Sequence, residues 1–146
     1  MEIPTYVSNE EVQRVCSELR IRDWSQLKEP QITIREAEVI QKELGGMAEL
    51  VDPLDFKKGL EVELEHGTQF PDVNVTNNHP LLTGMIVVAH LKESLDYYSR
   101  LEVAELEGDL LKALLAGDRE KLARKYKNLL EAKAELADSE LSSLEQ

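Results

Sequence analysis

Cysteine is almost absent from this chain, and its scarcity excludes two ways of stabilising a small protein. The 146 residues include one cysteine, Cys16. A single thiol can form no internal disulfide and cannot supply a four-cysteine zinc site. An unpaired thiol is typical of a reducing compartment, so we expect a cytoplasmic protein. Because Cys16 follows Val12 and Val15 on an apolar helical face, we predict that it lies in the core.

Long apolar runs are also missing. The longest stretch, Met85 to Ala89 with Leu81 and Leu82 just before it, is interrupted by His90. It is far shorter than the roughly 20 residues that a membrane-spanning helix needs. The first residues contain no basic segment followed by an apolar run and a small-residue cleavage site, so we expect no secretory signal. We therefore expect no membrane association.

Positive charge is scarce as well. Seventeen lysine and arginine residues oppose 29 aspartate and glutamate residues, which gives a formal net charge of −12. Such a surface repels phosphate backbones, which argues against a nucleic-acid binder that works by counterion release. Cationic partners remain open. We expect a protein partner for a chain that is itself a monomer or a homodimer.

Helix start signals are plentiful. Two Ser/Thr-x-x-Glu patterns have capping-box spacing, Ser8 with Glu11 and Thr33 with Glu36. A third helix is predicted to begin at Asp52-Pro53, because proline suits the first helical position and aspartate can cap the free amides. Trp24 lies in the polar connection between the first two helices, where we predict that it fills the core.

These signals predict an all-α fold in a single domain over residues 1–146. N-terminal helices occupy residues 1–50, a core that bears the motifs occupies 52–102, and a helical hairpin with a polar tail occupies 103–146. We expect a central helix pair to carry the site and the C-terminal helices to form an antiparallel hairpin.

Residues 60–66 fit two periodicities. Apolar side chains alternate with glutamate over residues 60–65, as in a strand, whereas Phe56, Leu60 and Leu64 recur at helical spacing. We favour a helix because Asp52-Pro53 and a terminal Gly67 bracket the segment in helical fashion.

A long helix is predicted to begin at Pro80, because the apolar residues keep helical spacing as far as Leu115. Gly108 is a possible bend in it, and Gly117 stops it. Asp118 then caps a last helix. A heptad-like seam runs along that helix through Leu122, Tyr126, Leu129 and Leu136.

The three histidines lie in the middle of the chain, among carboxylates. Glu63 and His66 are separated by one helical turn. His90 and Glu93 have the same separation on the next helix. Two helices could thus present two carboxylates and two imidazoles to one point. The set suits zinc, iron or manganese, and it weakly resembles the Glu-x-x-His sites of carboxylate-bridged helical bundles.

A buried polar network is the alternative. His90 shares a predicted helical face with Glu93 and Tyr97 that is otherwise apolar. Burial of an ionisable group without a partner is costly, so a glutamate of the preceding helix and Tyr97 would satisfy His90. Acid–base catalysis is a third alternative. The residues leave all three open.

The turn-rich residues 68–79 predict a loop. Asn74, Thr76 and Asn77 are predicted to close it through hydrogen bonds from side chain to backbone. His79, directly before Pro80, is predicted to be a turn or capping residue rather than a ligand. The helix that starts at Pro80 could receive an anion at its N-terminus.

Several motifs in this region share one resemblance. They are Phe56 to Gly67 with its Glu-Leu-Glu-His-Gly end, Asn74-Val-Thr-Asn77, Pro80 to Gly84, Ala89-His-Leu-Lys-Glu93, Asp96-Tyr-Tyr98 and Arg100-Leu101. In order and spacing they resemble a small family of uncharacterised bacterial and phage proteins, over about residues 54–102. The resemblance implies a shared compact module and no known activity. The chain departs from the family pattern at Asn78-His79, where acidic residues are usual, and at Met85, where lysine is usual.

Two functional hypotheses follow. The first is a small cytosolic binding or regulatory module, associated with phages, whose acidic surface meets a protein partner. The second is a metal-dependent enzyme of the hydrolase type. Its ligands would be Glu63, His66, His90 and Glu93, or one glutamate would be free as a general base.

The acidic balance gives a first testable prediction. The protein should not retain double-stranded DNA at physiological salt, because its net charge opposes the phosphate backbone. Gel-shift titrations at low and physiological salt measure this. A retained complex whose affinity falls steeply with salt would contradict the prediction, because it would reveal a concentrated basic surface.

Overall fold

The computed structural model describes residues 7–145 of the chain. Every regular element in these residues is helical, which confirms the predicted all-α fold. The chain divides into two compact units, Met1–Lys92 and Glu93–Gln146. Each unit is described by itself, and the single domain over residues 1–146 stays a prediction.

The described residues of the first unit form five α-helices joined by connections of different length. They are α1 (Asn9–Leu19), α2 (Ile34–Leu44), α3 (Met47–Leu50), α4 (Pro53–Gln69) and α5 (Pro80–Glu93), whose last residue belongs to the second unit. Short 3-10 turns occupy Trp24–Gln26 and Pro71–Val73. Residues 60–66 lie within α4, so the helix favoured by the sequence is confirmed.

The predicted helix starts are present. The Ser8 hydroxyl accepts a hydrogen bond from the amide of Glu11, at 3.2 Å. Thr33 and Glu36 form a complete capping box, in which each side chain accepts from the other residue's amide. Asp52 accepts from the amide of Leu54, at 2.8 Å. Local hydrogen bonding therefore sets where these helices begin.

The core of the first unit is apolar and closely packed. Its fully buried large side chains include Val12 of α1, Trp24, Ile40 of α2, and Phe56 and Leu60 of α4. Cys16 is buried beside them. The predictions that Trp24 and Cys16 lie in the core are therefore confirmed.

Gly84 allows α5 to lie close to α2 and α4. A methyl group at this position would lie 2.6 Å from Leu44 Cδ1, 2.9 Å from Ile40 Cγ2 and 3.5 Å from Phe56 Cζ. The first two distances are shorter than ordinary contacts between side chains. A larger residue would thus push α5 away from the core.

Glu36 is the most heavily hydrogen-bonded side chain of the first unit. It is 4% exposed and accepts from Arg22, from the Trp24 indole at 3.3 Å, and from the amide and hydroxyl of Thr33. Burial alone would raise the pKa of Glu36, but the hydrogen bonds from Arg22, Thr33 and Trp24 outweigh it and lower the pKa to about 2. One buried carboxylate therefore joins the start of α2 to the connection that precedes it.

The second unit is an antiparallel hairpin of α6 (Tyr97–Leu115) and α7 (Arg119–Leu144). Leu106 of α6 packs with Leu129 and Ala132 of α7. Ion pairs join Asp109 to Lys125 and Glu107 to Lys133 along the seam. The predicted C-terminal hairpin is confirmed, with a first helix that begins at Tyr97 and an α7 that extends into the predicted polar tail.

The predicted continuous helix from Pro80 to Leu115 is wrong. The chain leaves helical structure between Glu93 and Tyr97. There the Ser94 hydroxyl bonds to the carboxylate of Asp96, which also accepts from Arg100. Serine and aspartate side chains that bond locally compete with helical hydrogen bonds, so they interrupt a pattern whose apolar spacing continues. Consequently His90 and Tyr97 lie on separate helices and share no helical face.

No helix within residues 7–145 combines the length and the apolar character that a membrane crossing demands. This agrees with the short apolar runs of the sequence.

The Glu36 network predicts a specific acid sensitivity. The pKa of Glu36 lies below its ordinary value of 4.5, so its contribution to stability is present above pH 4.5 and is lost as the pH falls toward 2. Glu36→Gln should lower the free energy of unfolding at neutral pH by about 1.5–3 kcal/mol, the range for hydrogen bonds to charged groups. It should also flatten the fall in stability below pH 4.5. Urea denaturation across this pH range measures both effects.

Glu38→Gln is the matched control, because Glu38 is an exposed glutamate on the same helix. It should leave both the stability and its pH profile close to wild type. A Glu36→Gln protein with a wild-type acid profile would refute the assigned role of the carboxylate.

Candidate functional site

The end of α4 is covered by the loop between α4 and α5, and Gly67 makes this approach possible. A methyl group at Gly67 would lie 2.1 Å from Asn78 Oδ1 and 2.7 Å from Asn74 Nδ2. The side-chain amide of Asn74 donates to Asn78 Oδ1 at 2.8 Å and to the carbonyl of Gly67 at 3.3 Å. The asparagine pair therefore rests directly on the backbone of α4.

The sequence predicts the wrong role for Gly67. Gly67 was expected to end the helix, but α4 continues to Gln69. Its backbone does not lie in the left-handed region, so no turn requires glycine there. Glycine is needed because the loop leaves no room for a side chain.

Two consecutive residues of the loop adopt a left-handed backbone. Asn77 has φ 50° and Asn78 has φ 57°, a conformation that asparagine tolerates better than most residues. The side-chain amide of Asn77 donates to the carbonyl of Val7 and to Asn9 Oδ1. The Thr76 hydroxyl donates to Asn74 Oδ1. Asn74 thus makes a side-chain-to-backbone bond of the predicted kind, whereas Asn77 bonds to residues outside the loop and the Thr76 hydroxyl bonds to a side chain.

His79 caps α5. Its Nδ1 accepts from the amide of Leu82 at 3.3 Å, and its carbonyl accepts from the amide of Thr83 at 2.9 Å. Burial lowers the pKa of His79, against the opposing charge of Glu11, so the neutral ring that can accept at Nδ1 is favoured. The capping prediction is confirmed, and His79 occupies the helix end that the sequence suggested for an anion.

A cleft of about 240 Å³ lies between α4, this loop and the first turns of α5. Its lining combines polar and apolar side chains: Glu63, His66, Phe70, Val73, Asn74, Val75, Thr76, Thr83 and Ile86, with Gly67 at the backbone. Phe70, Val73 and Val75 are more than half exposed. Four of the residues selected from sequence, namely Glu63, His66, Asn74 and Thr76, meet here.

Thr83 has the most unusual side chain of the cleft. It is 2% exposed, and its hydroxyl oxygen is buried without a hydrogen-bond partner among the described residues. A buried hydroxyl without a partner costs about 1–3 kcal/mol. Sequence reasoning did not single out this residue, although it belongs to the Pro80–Gly84 motif. Threonine within a helix is unremarkable in sequence, and only packing reveals its isolation.

Glu63 and His90 pair across the two central helices. Glu63 Oε1 lies 3.6 Å from His90 Nε2, and the two side chains are 15% and 30% exposed. His66 is on the exposed side of α4, although it lines the cleft. Of the two histidine motifs, Glu63 and His90 are thus close to each other, and a common site for all four residues stays a prediction.

The remaining predicted site residues lie in the second unit. Glu93 ends α5, and Tyr97 begins α6, where its ring meets Tyr98 edge-on with centroids 5.1 Å apart. A role for Glu93 and Tyr97 in the site stays a prediction.

The described part of the chain contains no group of three or more histidine, cysteine, aspartate or glutamate residues placed to hold a metal ion. Glu63, His66 and His90 therefore do not form a three-ligand set. Residues 7–145 therefore contain no group of side chains placed to bind the zinc, iron or manganese that the spacing suggested.

Residues 12–107 of the chain match the protein family DUF5661, whose description is a protein of unknown function. The match begins within α1 and includes α2 to α5, the cleft and the first half of α6. No curated protein and no solved structure matches the chain.

The contact at Gly67 can be tested with a matched pair of substitutions. Gly67→Ala should lower the melting temperature and displace the loop, because its methyl group collides with the bonded Asn74–Asn78 pair. Gly108→Ala on α6 should raise stability by up to about 1 kcal/mol, because alanine is the better helix former and a methyl group at Gly108 meets no atom within 4 Å.

Thermal melts and amide spectra of the two variants measure these effects. The side-chain amide resonances of Asn74 and Asn78 should move in Gly67→Ala and stay unchanged in Gly108→Ala. Equal stabilisation by both substitutions would show that the loop does not rest on Gly67.

Proposed function

The chain belongs to the DUF5661 family of proteins of unknown function, and we propose that it is a binding module whose cleft takes a basic side chain of a protein partner. The observation that carries the proposal is the buried Thr83 hydroxyl in the cleft wall, which has no partner among the described residues. A ligand that supplies a hydrogen-bond donor to this oxygen would remove the cost of its burial.

The charge of the cleft favours a cationic ligand. Glu63 contributes a partly buried carboxylate, and the whole chain carries a formal net charge of −12. An ammonium group has three donors and no acceptor, so it can bond to a carboxylate and a hydroxyl together. An acidic protein also attracts basic partners at a distance, which speeds their encounter.

The apolar walls favour a lysine-like stem. Phe70, Val73, Val75 and Ile86 line the cleft, and the first three are exposed to solvent. Lysine buries its methylene chain along apolar surface while its charge seeks polar partners. A cleft of about 240 Å³ has room for one such side chain rather than for a large cofactor.

The metal-dependent hydrolase has less support than the binding module. Its four ligands would require Glu63, His66, His90 and Glu93 to meet, and no group of three possible ligands is assembled in the described residues. In the binding proposal the Glu63–His90 pair instead holds the carboxylate at the cleft.

A regulatory role, a cytoplasmic location and an origin in bacteria or phages belong to the same proposal. The cytoplasmic location is supported by the buried free thiol of Cys16, which a reducing compartment would preserve. The association with bacteria and phages is supported by the resemblance of the central motifs alone.

Small amines test the chemistry of the cleft directly. We expect n-butylamine, as its ammonium ion, to shift the amide resonances of Gly67, Asn74 and Thr83, with an affinity in the roughly millimolar range of a small fragment. Butanol should produce weaker shifts, and butyrate should produce none, because the carboxylate of Glu63 repels it. Equal shifts with butyrate and butylamine would contradict the proposal.

Matched variants then connect the binding to named groups. Thr83→Val should keep or raise the melting temperature while it weakens butylamine binding, because it removes a hydroxyl that has no hydrogen-bond partner within residues 7–145. Thr68→Val is the control, because the Thr68 hydroxyl already donates to the carbonyl of Leu64. It should cost about 0.5–1.5 kcal/mol of stability and leave binding unchanged. Unchanged binding in Thr83→Val would remove the observation on which the proposal depends.

A further inference from the structure

Helix α7 has two apolar stripes. The first faces α6 and contains the buried residues Leu129 and Ala132. The second lies about a third of a turn away at 3.6 residues per turn. Its members are all exposed: Tyr126, Leu130, Ala134, Ala137, Leu141 and Leu144. We call this set the outer stripe.

The outer stripe is too apolar for an ordinary solvated helix face. Leu130 is 53% exposed, Leu141 is 58% exposed and Leu144 is 83% exposed. A helix with a single buried face normally places charged residues on the remaining surface. A continuous exposed apolar stripe instead marks a surface that meets a partner.

The charges of α7 are divided between its two ends. Residues 119–127 carry five basic side chains, namely Arg119, Lys121, Arg124, Lys125 and Lys127, against one acidic side chain, Glu120. Residues 128–145 carry five acidic side chains, namely Glu131, Glu135, Asp138, Glu140 and Glu145, against Lys133. The helix is therefore basic at its start and acidic toward its end.

We propose that the outer stripe pairs with the outer stripe of a second copy of this chain, with the two α7 helices antiparallel. In this orientation the basic end of each helix lies along the acidic end of the other. A parallel pair would bring like charges together, which is unfavourable. The antiparallel pair is also closed by a two-fold axis, the commonest symmetry of soluble homo-oligomers.

A groove at the start of α7 fits the end of the second copy. It has a volume of about 420 Å³, and its lining includes Leu110, Leu114, Leu122, Ala123 and Tyr126, with Arg119 at its edge. If the two-fold axis passes near Ala134, Leu144 of the second copy lies opposite Ala123. The leucines at one end of α7 then enter the groove at the other end, and Glu145 approaches Arg119.

Sedimentation velocity over a wide range of protein concentration tests the pairing. Wild type should show a concentration-dependent dimer, and Leu130→Glu should be monomeric because it places a charge in the middle of the outer stripe. Asn128→Glu is the matched control, because it adds the same charge on the opposite side of α7 and should remain dimeric. Circular dichroism should show equal helix content in all three proteins.

Leu144→Glu provides a second variant, because a residue that is 83% exposed near the end of the helix can be changed without unfolding the hairpin. It should weaken the dimer without altering the melting of the monomer. Wild type that is monomeric at every concentration would overturn the proposal. Equal dissociation by Asn128→Glu and Leu130→Glu would overturn it as well.

Cysteine substitution tests the orientation. Ala134→Cys should form a disulfide between copies, because the proposed axis brings the two positions together. Tyr126→Cys should not, because in an antiparallel pair its two copies lie about 22 Å apart along the helices, beyond the reach of a disulfide. Native Cys16 is buried and common to both variants. Disulfides in both variants would show a parallel pair and overturn the orientation, and the absence of a disulfide in Ala134→Cys would overturn the pairing.

Discussion

The close approach of a loop to the backbone of Gly67 is the contact on which the candidate site depends. The hydrogen-bonded side chains of Asn74 and Asn78 occupy the space that any larger residue at Gly67 would need. This contact holds the loop against the end of α4, and the loop forms one wall of the cleft. A second glycine, Gly84, allows α5 to lie close to α2 and α4. Two elements that line the cleft, the loop and α5, are therefore placed by close packing at a glycine.

Charged side chains have different roles in the two units. In the first unit, Glu36 is buried and fully engaged by donors, so it stabilises the fold rather than a ligand. Glu63, by contrast, lines a cleft that has apolar walls and a threonine hydroxyl without a hydrogen-bond partner in the described part of the chain. In the second unit the charges of α7 are segregated along its length beside an apolar stripe. The binding proposal and the pairing proposal rest on separate residues, so each stands or fails alone.

Much of the fold could be predicted because helix ends are encoded locally. Ser8, Thr33, Asp52 and Asp118 each cap the helix that the sequence assigned to them. The helix over residues 60–66 was correctly favoured from the Asp52-Pro53 start, although Gly67 does not end it, and the helically spaced Phe56, Leu60 and Leu64 are buried. The break between α5 and α6 was missed, because apolar spacing continues through it while Ser94 and Asp96 bond to each other. The site was predicted in part: Glu63, His66, Asn74 and Thr76 reach the cleft, whereas Thr83 and Ile86 were not foreseen.

The sequence by itself determined the class of fold, the starts of α1, α2, α4, α5 and α7 and the acidic balance of the chain, since these depend on neighbouring residues and on composition. The tertiary structure alone decided that Gly67 serves a contact rather than a helix end, that the Thr83 hydroxyl has no hydrogen-bond partner among residues 7–145 and that Glu63 pairs with His90. It also decided which of the two stripes of α7 is buried. The reason is physical: burial and the satisfaction of polar groups depend on segments far apart in the chain, and local patterns carry no record of which segments meet.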